Sequence, residues 1–561
     1  MDQDKAKKIF NEAQNFFIKK NYSLARENWL KILKIYPKNL SILRNIALTY
    51  FYENKLEENE QILKKIIDIN IKEPNALTML IFNLEDQDKI SEAKEFISLG
   101  LKENVLDENW KFKQMIMQPI IKLDIKEIDI ERSIIEKNVD KVLSEQKEFS
   151  FNIDNHLIKP AHFSLSYDHN DNLIINKKFI KFFKKIYPEL NTVYKINNFN
   201  NSKIKIGFIS EYFTDHTIGK LFKGIILNLD SKIFDINIFH TDKTKKGKIL
   251  QEFLDAEKKQ LIKNHFLPKL FKEKQKLILK HNLDILFYPE IGLSLQLYYL
   301  SFLKLAKIQI TSWGHPETTG NPSIDYFLTS KLIESTENQK NFSEKLIFSD
   351  LLPMYYYYPK VKNKLNLDDL NKKDIFSCPQ TLFKIHPDFD QIIAKVQKDN
   401  KKAKFYFIKD ANNTLYKKLL VRFKKNQNID VDRITFLDGL NWEEYINHCG
   451  KSTVLLDPLH YGAGNSFYES MVYGTPTITM PTKYTKSRLV LGAYKQMEIE
   501  DLKFDPIAKS VDNYVEKIIE LNNKKDLIDL KQNLQNKAKE NLFENKKIIQ
   551  NLEKIFQDLI N

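Results

Sequence analysis

The segment from Leu455 to Pro481 contains the residue types that a phosphate-binding site needs. An apolar run ends at Asp457-Pro458, a glycine-containing loop follows, and a helix is predicted to begin near Phe467. The first N–H groups of a helix have no intrahelical partner, so such a junction can bind phosphate oxygens. The residues of this predicted phosphate loop are Gly462, Gly464, Asn465 and Ser466.

Glu469 lies one turn into the predicted helix. A carboxylate in that position can accept hydrogen bonds from a ribose diol, a role that acidic residues take in nucleotide sites. The glycines lack the GxGxxG spacing, which argues against a dinucleotide-binding fingerprint. Asn465 or Ser466 can equally cap the helix, so a strand–loop–helix corner without a ligand is the alternative.

Short apolar runs alternate with amphipathic helices from Lys203 onward. This pattern predicts two successive parallel sheets, each covered by helices on both faces. A ligand is then expected in the cleft between the two lobes, at the carboxyl ends of the strands. The predicted strands are 203–210, 234–240, 283–289, 307–313 and 323–330 in the first lobe, and 374–380, 404–410, 433–439, 452–458 and 475–481 in the second.

Three helical stretches near the start of the chain repeat with a period of 34 residues. That period, with two helices per unit, is typical of tetratricopeptide repeats, and Pro37 and Pro74 are expected at helix ends. An ordinary helical bundle is the alternative, and the large side chain of Asn59 weakens the middle repeat. The repeating registers are Tyr22, Leu56 and Ile90; Ala25, Asn59 and Ala93; and Trp29, Leu63 and Ile97.

Bulk composition limits the possible functions. The formal net charge is +14, but nearly all the positive charge is lysine spread along the chain, so nucleic acid is not expected as a partner. The two cysteines, Cys378 and Cys449, form no CxxC pair, which suits a reducing, cytoplasmic location. No apolar run approaches the ~18 residues that span a bilayer, and no signal peptide is predicted.

Several further segments together resemble one enzyme family. With 455–481 they resemble the bacterial SPINDLY-like and O-GlcNAc-transferase-like proteins of glycosyltransferase family 41, over residues 160 to 500. Helical repeats ahead of such a region match the family's layout. The resemblance implies two Rossmann-like lobes in the GT-B arrangement, with the nucleotide held mainly by the C-terminal lobe. The further segments are 205–230, 308–334, 376–390 and 487–497.

The resemblance places His216 at the active site. It follows the first predicted strand, in a loop that enters a helix, and its family counterpart is considered as the base for the acceptor hydroxyl. Imidazole is a suitable proton acceptor near neutral pH. The alternative is that His216 contacts the donor or caps the helix without moving a proton. Asp215 is a candidate to orient the ring.

Lys384 matches the family lysine that contacts the diphosphate. A fixed cation there stabilises the negative charge that grows on the departing nucleoside diphosphate. Gln380 or Thr381 is expected at the base or sugar. Arg488, at a matched helix start, either contacts phosphate or anchors that helix.

The loop 313–320 is expected on the sugar and acceptor side of the cleft, again by resemblance. His315 is a candidate to handle a proton or to donate a hydrogen bond, and a buried turn histidine is the alternative. The residues assigned to this side are Gly314, His315, Pro316, Thr318 and Thr319.

One departure from the family leaves the donor open. Mammalian O-GlcNAc transferases have a histidine and consecutive threonines in the phosphate loop, where this chain has Gly464-Asn465-Ser466. UDP-GlcNAc is favoured, while UDP-glucose and GDP-fucose stay open. Asp430-Val431-Asp432 is formally a metal-binding DxD pattern, but we interpret it as a solvated loop. No metal and no cofactor beyond the nucleotide-sugar co-substrate is expected.

The sequence therefore predicts an α/β GT-B protein preceded by an all-α tetratricopeptide-like solenoid. The predicted function is inverting transfer of a sugar from a nucleotide-sugar to a protein hydroxyl, with the repeats presenting the acceptor. Transfer to a glycan or lipid-linked acceptor, or a non-catalytic repeat scaffold, are the alternatives. The predicted domains are repeats (1–110), connector and lead-in (111–200), N-terminal lobe (201–360), C-terminal lobe (374–510) and a closing pair of charged helices (511–561).

Overall fold

The structure is a computed structural model that describes residues 3–73, 75–155, 158, 162–196, 202–241, 246–426 and 428–561. Pro74, expected at a helix end, lies outside the described residues. The chain divides into two compact units, which are Met1–Lys122 with Lys409–Val421, and Leu123–Ile408 with Arg422–Asn561.

The first unit consists of helices, each of which packs against the next along the chain. Tyr22, Leu56 and Ile90 each begin a helix, so the 34-residue period matches the observed helix starts. Asn59 fits the repeat because its buried amide is satisfied: its Nδ2 donates to the Ala47 carbonyl at 2.6 Å. The prediction of tetratricopeptide-like repeats is confirmed. The helices are α1 (Gln3–Ile18), α2 (Tyr22–Leu33), α3 (Leu40–Tyr52), α4 (Leu56–Ile69), α5 (Ala76–Asp86), α6 (Ile90–Lys102) and α7 (Asn109–Ile116).

The segment Lys409–Val421 groups with these helices, although the sequence places it within the range predicted for the C-terminal lobe. Lys418 pairs with the buried carboxylate of Asp88 at 2.9 Å, and Lys417 pairs with Glu57 at 2.5 Å. Both acidic partners belong to the repeats, which explains the grouping.

The second unit begins with three helices and then forms a seven-stranded parallel sheet in the order β3-β2-β1-β4-β5-β6-β7. The strand order reverses between β1 and β4, where a crevice opens at the carboxyl ends. Two edge strands, β3 and β7, were not predicted. The elements are α8 (Ile125–Ser144), α9 (His162–Leu165), α10 (Leu173–Ile186), β1 (Ile204–Ser210), α11 (Thr217–Asn228), β2 (Phe234–His240), α12 (Lys248–Lys258), β3 (Lys263–Phe266), α13 (Phe271–Leu279), β4 (Ile285–Tyr288), α14 (Leu295–Leu300), β5 (Ile308–Ser312), β6 (Tyr326–Ser330) and β7 (Lys345–Ser349).

A second parallel sheet follows in the order β10-β9-β8-β11-β12, with its own switch point between β8 and β11. Every strand in it matches a predicted apolar run, although the observed strands are shorter. The elements are α15 (Leu367–Leu370), β8 (Ile375–Ser377), α16 (Asp390–Asp399), β9 (Lys404–Ile408), α17 (Leu415–Lys425), β10 (Ile434–Leu437), α18 (Trp442–Lys451), β11 (Val454–Leu456), α19 (Asn465–Ser470), β12 (Thr477–Ile478) and α20 (Leu489–Met497).

The chain ends in three helices, where the sequence predicted a pair: α21 (Val511–Asn523), α22 (Leu527–Asn541) and α23 (Lys546–Ile560). The last of them is not a surface element alone, because Phe556 is buried against Phe234 and Phe287 of the first sheet. Within the described residues, no helix combines the length and apolar character needed to cross a membrane.

Candidate active site

A cavity of about 470 Å³ lies where loops from the two switch points meet. The loops after β1 and β5 line it from the first lobe, and those after β8 and β11 line it from the second. This is the place where doubly wound sheets bind ligands. The predicted site residues that line the cavity are His216, Gly314, Pro316, Gln380, Thr381, Lys384, Gly462, Gly464, Asn465, Ser466 and Glu469.

Four predicted residues do not line this cavity: His315, Thr318, Thr319 and Arg488. A separate cavity of about 590 Å³ lies beside α20 and α21, and none of the predicted site residues lines it. Of these two cavities, the cleft between the lobes is therefore the one that contains predicted site residues.

Lys384 is the cation of the cleft. Its Nζ donates to Gln380 Oε1 at 3.0 Å and to the Gly462 carbonyl at 3.1 Å, and it lies 4.9 Å from the centre of the Tyr461 ring. Desolvation lowers the pKa of Lys384 to about 8, although Asp457 acts in the opposite direction. Its two hydrogen-bond acceptors are neutral oxygens and Asp457 balances its charge only from a distance, so the ammonium is suited to an incoming anion.

Asp457 fixes the conformation of the predicted phosphate loop through hydrogen bonds. Its carboxylate is buried and accepts hydrogen bonds from the Ala463 N–H and the Thr479 hydroxyl, both at 2.6 Å. Burial raises the pKa of Asp457 to about 7. Gly462 passes close to this carboxylate, and a Cβ there would lie 3.0 Å from Oδ2. The loop conformation therefore favours glycine at this position.

The helix that follows the loop begins at Asn465. Asn465 Oδ1 accepts a hydrogen bond from the Tyr356 hydroxyl at 2.7 Å, so this amide does not cap the helix. Ser466 Oγ accepts from the Gln380 amide, which links the loops after β8 and β11. The Phe467 N–H donates to the Gly464 carbonyl at 3.0 Å, and the N–H groups of Asn465 and Ser466, at the very start of the helix, are candidates to bind a ligand.

Glu469 is buried and lines the cavity, but protein groups already bind its carboxylate. Its Oε1 accepts from Lys220 Nζ at 2.6 Å and from Trp442 Nε1 at 2.8 Å. Lys220 belongs to α11 of the first lobe, so the ion pair joins the two lobes across the cleft. A ribose at this position would share the carboxylate with these two donors.

His216 is exposed and caps α11, since its Nδ1 accepts the Ile218 N–H at 3.3 Å. A nitrogen that accepts this bond carries no proton, so the proton of the neutral ring lies on Nε2. In this tautomer the ring offers the cleft a hydrogen-bond donor. The Asp215 carboxylate accepts the N–H groups of Lys248 and Ile249, which join the loop after β1 to the start of α12.

The loop after β5 divides between the cleft and the protein core. Gly314 and Pro316 line the cavity, whereas His315 is buried, with Nε2 3.0 Å from Ser166 Oγ. Burial lowers the pKa of His315 to about 4, which matches the buried turn histidine that was the alternative for this residue. Thr318 and Thr319 both donate to Glu344, Thr318 through its hydroxyl at 2.7 Å and Thr319 through its N–H at 2.8 Å.

Arg488 bonds to backbone carbonyls. Its Nε donates to Ile333 O at 2.6 Å and its Nη1 donates to Thr482 O at 3.0 Å. These bonds fix the start of α20, which corresponds to the anchoring alternative. The neighbouring Leu489 lines the cavity in its place.

Sequence reasoning missed an aromatic wall. Tyr167 packs against Phe383 with ring centres 4.5 Å apart and against Tyr461 at 4.6 Å, and all three rings line the cavity. Tyr167 comes from the lead-in segment, where the sequence showed no motif. Aromatic faces of this kind cover bases and sugar rings in ligand sites.

The DxD pattern lies outside this cavity. Asp430 caps a short 3-10 turn by accepting the Asp432 N–H at 3.1 Å, and it also accepts from Arg433 Nε at 2.9 Å. These contacts agree with the interpretation of this segment as a structural loop.

Comparison with known proteins finds sequences that are similar to part of this chain. Over 245 residues, or 42% of this chain, the sequence is 24% identical to a UDP-glucose:protein N-beta-glucosyltransferase of Actinobacillus pleuropneumoniae. It is 25% identical over 231 residues to a probable UDP-N-acetylglucosamine–peptide N-acetylglucosaminyltransferase, SEC, of Arabidopsis thaliana. The match spans 38% of the length of the first relative and 23% of the second. No protein-family model matches the sequence.

A solved structure shares the whole architecture. An O-GlcNAc transferase mutant of Thermobaculum terrenum superposes with a TM-score of 0.70 at 13% sequence identity, covering 99% of this chain and 97% of that one. These matches confirm the resemblance to glycosyltransferase family 41. The predicted fold class, two Rossmann-like GT-B lobes preceded by helical repeats, is confirmed with it.

Proposed function

We propose that this protein transfers a sugar from a UDP-linked donor to a polypeptide side chain, with inversion at the anomeric carbon. The observation that carries the proposal is the cavity in which Lys384, the loop from Gly462 to Ser466 and His216 converge from two lobes. The named relatives act on proteins with UDP-sugars, which supports both the donor class and the acceptor class. UDP-GlcNAc is the favoured donor, and UDP-glucose is the second candidate because of the glucosyltransferase relative.

In the proposed reaction an acceptor atom attacks the anomeric carbon while the bond to the diphosphate breaks. Negative charge then grows on the departing UDP. Lys384 Nζ and the first N–H groups of α19 are fixed donors for that charge, so they favour the transition state over the bound substrate. The aromatic wall of Tyr167, Phe383 and Tyr461 excludes water from the same space.

We propose that the transfer step needs no Mg²⁺ or Mn²⁺, because Lys384 and the helix start supply the positive potential that a metal supplies elsewhere. The DxD segment supports this, since it lies outside the cavity and its Asp430 carboxylate is engaged in a turn. Addition of either ion should leave the transfer rate unchanged. A requirement for added Mn²⁺ would overturn this part of the proposal.

A panel of nucleotide-sugars tests the function directly. Purified protein is incubated with UDP-GlcNAc, UDP-glucose or GDP-fucose, and donor hydrolysis and the mass gain of lysate proteins are measured. A gain of one N-acetylhexosamine or one hexose on peptides supports transfer to protein. Mass gain on glycans alone would favour a glycan acceptor. If no donor is bound, the protein would instead be a non-catalytic repeat scaffold.

The pH dependence of donor binding follows from Lys384. The pKa of its free ammonium is about 8, so the group is charged below pH 8 and loses its charge above it. The donor KM should therefore rise as the pH increases through 8, and binding at that pH should take up a proton. Titration calorimetry in two buffers of different ionisation enthalpy measures that uptake. Lys384→Arg is the matched control, because a guanidinium stays charged and should make the donor KM independent of pH near 8. If this variant took up as many protons on donor binding as the wild type, Lys384 would not be the group that titrates.

The helical repeats are the proposed binding surface for the polypeptide acceptor. Solenoids bind peptides along their surfaces, and Phe51 of this unit is 53% exposed. Phe51→Ser should raise the acceptor KM by about 5-fold, equivalent to about 1 kcal/mol, and leave donor hydrolysis unchanged. Leu367→Ser, at a side chain 65% exposed in the other unit, is the control. If Phe51→Ser and Leu367→Ser had the same acceptor KM, the proposal that the repeats bind the acceptor would be wrong.

We also propose a reducing, cytoplasmic location. The two cysteines, Cys378 and Cys449, are buried free thiols, which supports the proposal.

A further inference from the structure

Three histidines and an aspartate meet beside the cleft without lining it. His460 Nε2 lies 2.8 Å from Asp388 Oδ2, and His386 Nδ1 lies 3.2 Å from the same oxygen. The ligand atoms of these three residues all lie within 4.8 Å of one another. His169 adds a fourth side chain, with its Nδ1 3.2 Å from His386 Nε2.

The Asp388 carboxylate lies within hydrogen-bond distance of two imidazole nitrogens, His386 Nδ1 and His460 Nε2. His386 Nδ1 lies 3.2 Å from both the Asp388 backbone nitrogen and Asp388 Oδ2, so the neutral ring either accepts a bond from the first or donates one to the second. Its Nε2 lies 3.2 Å from His169 Nδ1 and takes the opposite role in each tautomer. Metal ligands must be deprotonated, so a divalent cation would bind here by displacing the protons that hold these imidazoles to the carboxylate.

The outer contacts have the pattern of a metal site. A histidine that binds a metal through one nitrogen usually donates its other N–H to a fixed acceptor. With a metal on Nδ1, His386 would donate its Nε2–H to His169 Nδ1, and His169 Nε2 in turn lies 3.7 Å from the carboxylate of Asp129 on α8. His386 is buried, while Asp388 and His460 are partly exposed, which leaves an entry path from solvent.

We propose that His386, Asp388 and His460 bind one Zn²⁺ ion, with His169 as a positioning residue. Two imidazoles and one carboxylate are a ligand set that zinc favours, whereas Mg²⁺ and Ca²⁺ favour sets made of oxygen alone. The three side chains leave the remaining coordination position to water. This site is separate from sugar transfer and does not alter the proposal that the transfer step is metal-free.

The position of the site indicates a structural role. His386 lies two residues after Lys384, and His460 lies two residues before Gly462, whose carbonyl accepts the Lys384 bond. An ion held by His386 and His460 would therefore join the loops after β8 and β11 without lining the cavity. The expected consequence is a more stable second unit.

Metal content tests the site without using enzyme activity. Full-length protein without a histidine tag is stripped with a chelator, dialysed, loaded with Zn²⁺ and measured by elemental analysis. We expect one equivalent of Zn²⁺ and a melting temperature several degrees above that of the stripped protein, with no such shift from Mg²⁺. Less than half an equivalent, or no shift, would overturn the proposal.

Variants locate the ion. His460→Gln and Asp388→Asn should each lose the zinc equivalent and the thermal shift, while His281→Gln, in a histidine pair of the first lobe, should retain both. Binding that persists in His460→Gln and Asp388→Asn would refute the site. Because a variant can fail to fold, Co²⁺ loading of the wild-type protein is the second measurement. Intense visible bands of tetrahedral Co²⁺ that Zn²⁺ displaces support the ligand set, and only the weak bands of octahedral Co²⁺ would contradict it.

Discussion

Lys384→Ala is expected to lower kcat/KM for sugar transfer by about 100- to 1,000-fold, equivalent to about 3 kcal/mol. The ammonium group lies in the cleft with only neutral oxygen acceptors, Gln380 Oε1 and the Gly462 carbonyl. Its charge therefore has most effect when the diphosphate gains negative charge in the transition state. The larger part of the effect should appear in kcat, because that charge grows as the sugar–diphosphate bond breaks, and the smaller part as a rise in the donor KM.

Steady-state kinetics with the donor identified by the panel measure this effect. Lys402→Ala, which removes an exposed lysine from the same lobe, is the matched control and should leave both kcat and the donor KM unchanged. The melting temperature of Lys384→Ala should stay close to that of the wild type, because burial already raises the pKa of the nearby Asp457 to about 7 and this carboxyl can take up a proton when the cation is lost. A kcat/KM within 3-fold of wild type would show that Lys384 is not the diphosphate cation.

The fold was largely predictable because its central strands are continuous apolar runs between helices. Buried parallel strands such as β1 and β4 need that composition on both faces. The missed strand β3 reads Lys-Asn-His-Phe and is an edge strand that is partly exposed, so its sequence resembles a loop. The third C-terminal helix was missed because its contacts with the first sheet come from distant residues, such as Phe234 and Phe287, which contact Phe556.

The site was predictable where a motif and a strand end coincide. The phosphate loop, Lys384 and His216 each follow a strand near a switch point, so topology brings them to the cavity. The outcome for His315, Thr318 and Thr319 depended on distant partners, Ser166 and Glu344, which no local pattern reveals.

The partners of Glu469 were equally hidden from sequence. Lys220 and Trp442 lie 249 and 27 positions away from it, and the ion pair exists only because the lobes face each other. Tyr167 of the aromatic wall comes from a segment whose composition gave no signal. Contacts between lobes and between distant loops are set by tertiary packing, and a single sequence does not encode them as periodicity or spacing.

His216→Asn is expected to weaken donor binding by about 10-fold or more while leaving the protein as stable as the wild type. The ring accepts the Ile218 N–H through Nδ1, so Nε2 carries the proton of the neutral ring, and His216 lines the cavity. Asparagine caps helices well, so α11 should begin as before. The shorter amide does not replace the Nε2–H, and a lost hydrogen bond to a charged ligand costs about 1.5 to 3 kcal/mol.

Calorimetric binding of UDP and of the donor, combined with kcat at saturating donor, separates the two roles of this histidine. A donor contact weakens binding, whereas a general base leaves the dissociation constant unchanged and lowers kcat by about 100- to 10,000-fold. His216→Ala should show the same loss of binding and should also lose about 1 kcal/mol of stability, because its cap is removed. If His216→Asn binds donor like the wild type but turns over at least 100-fold more slowly, the imidazole moves the acceptor's proton and the tautomer assigned from the Ile218 bond is wrong.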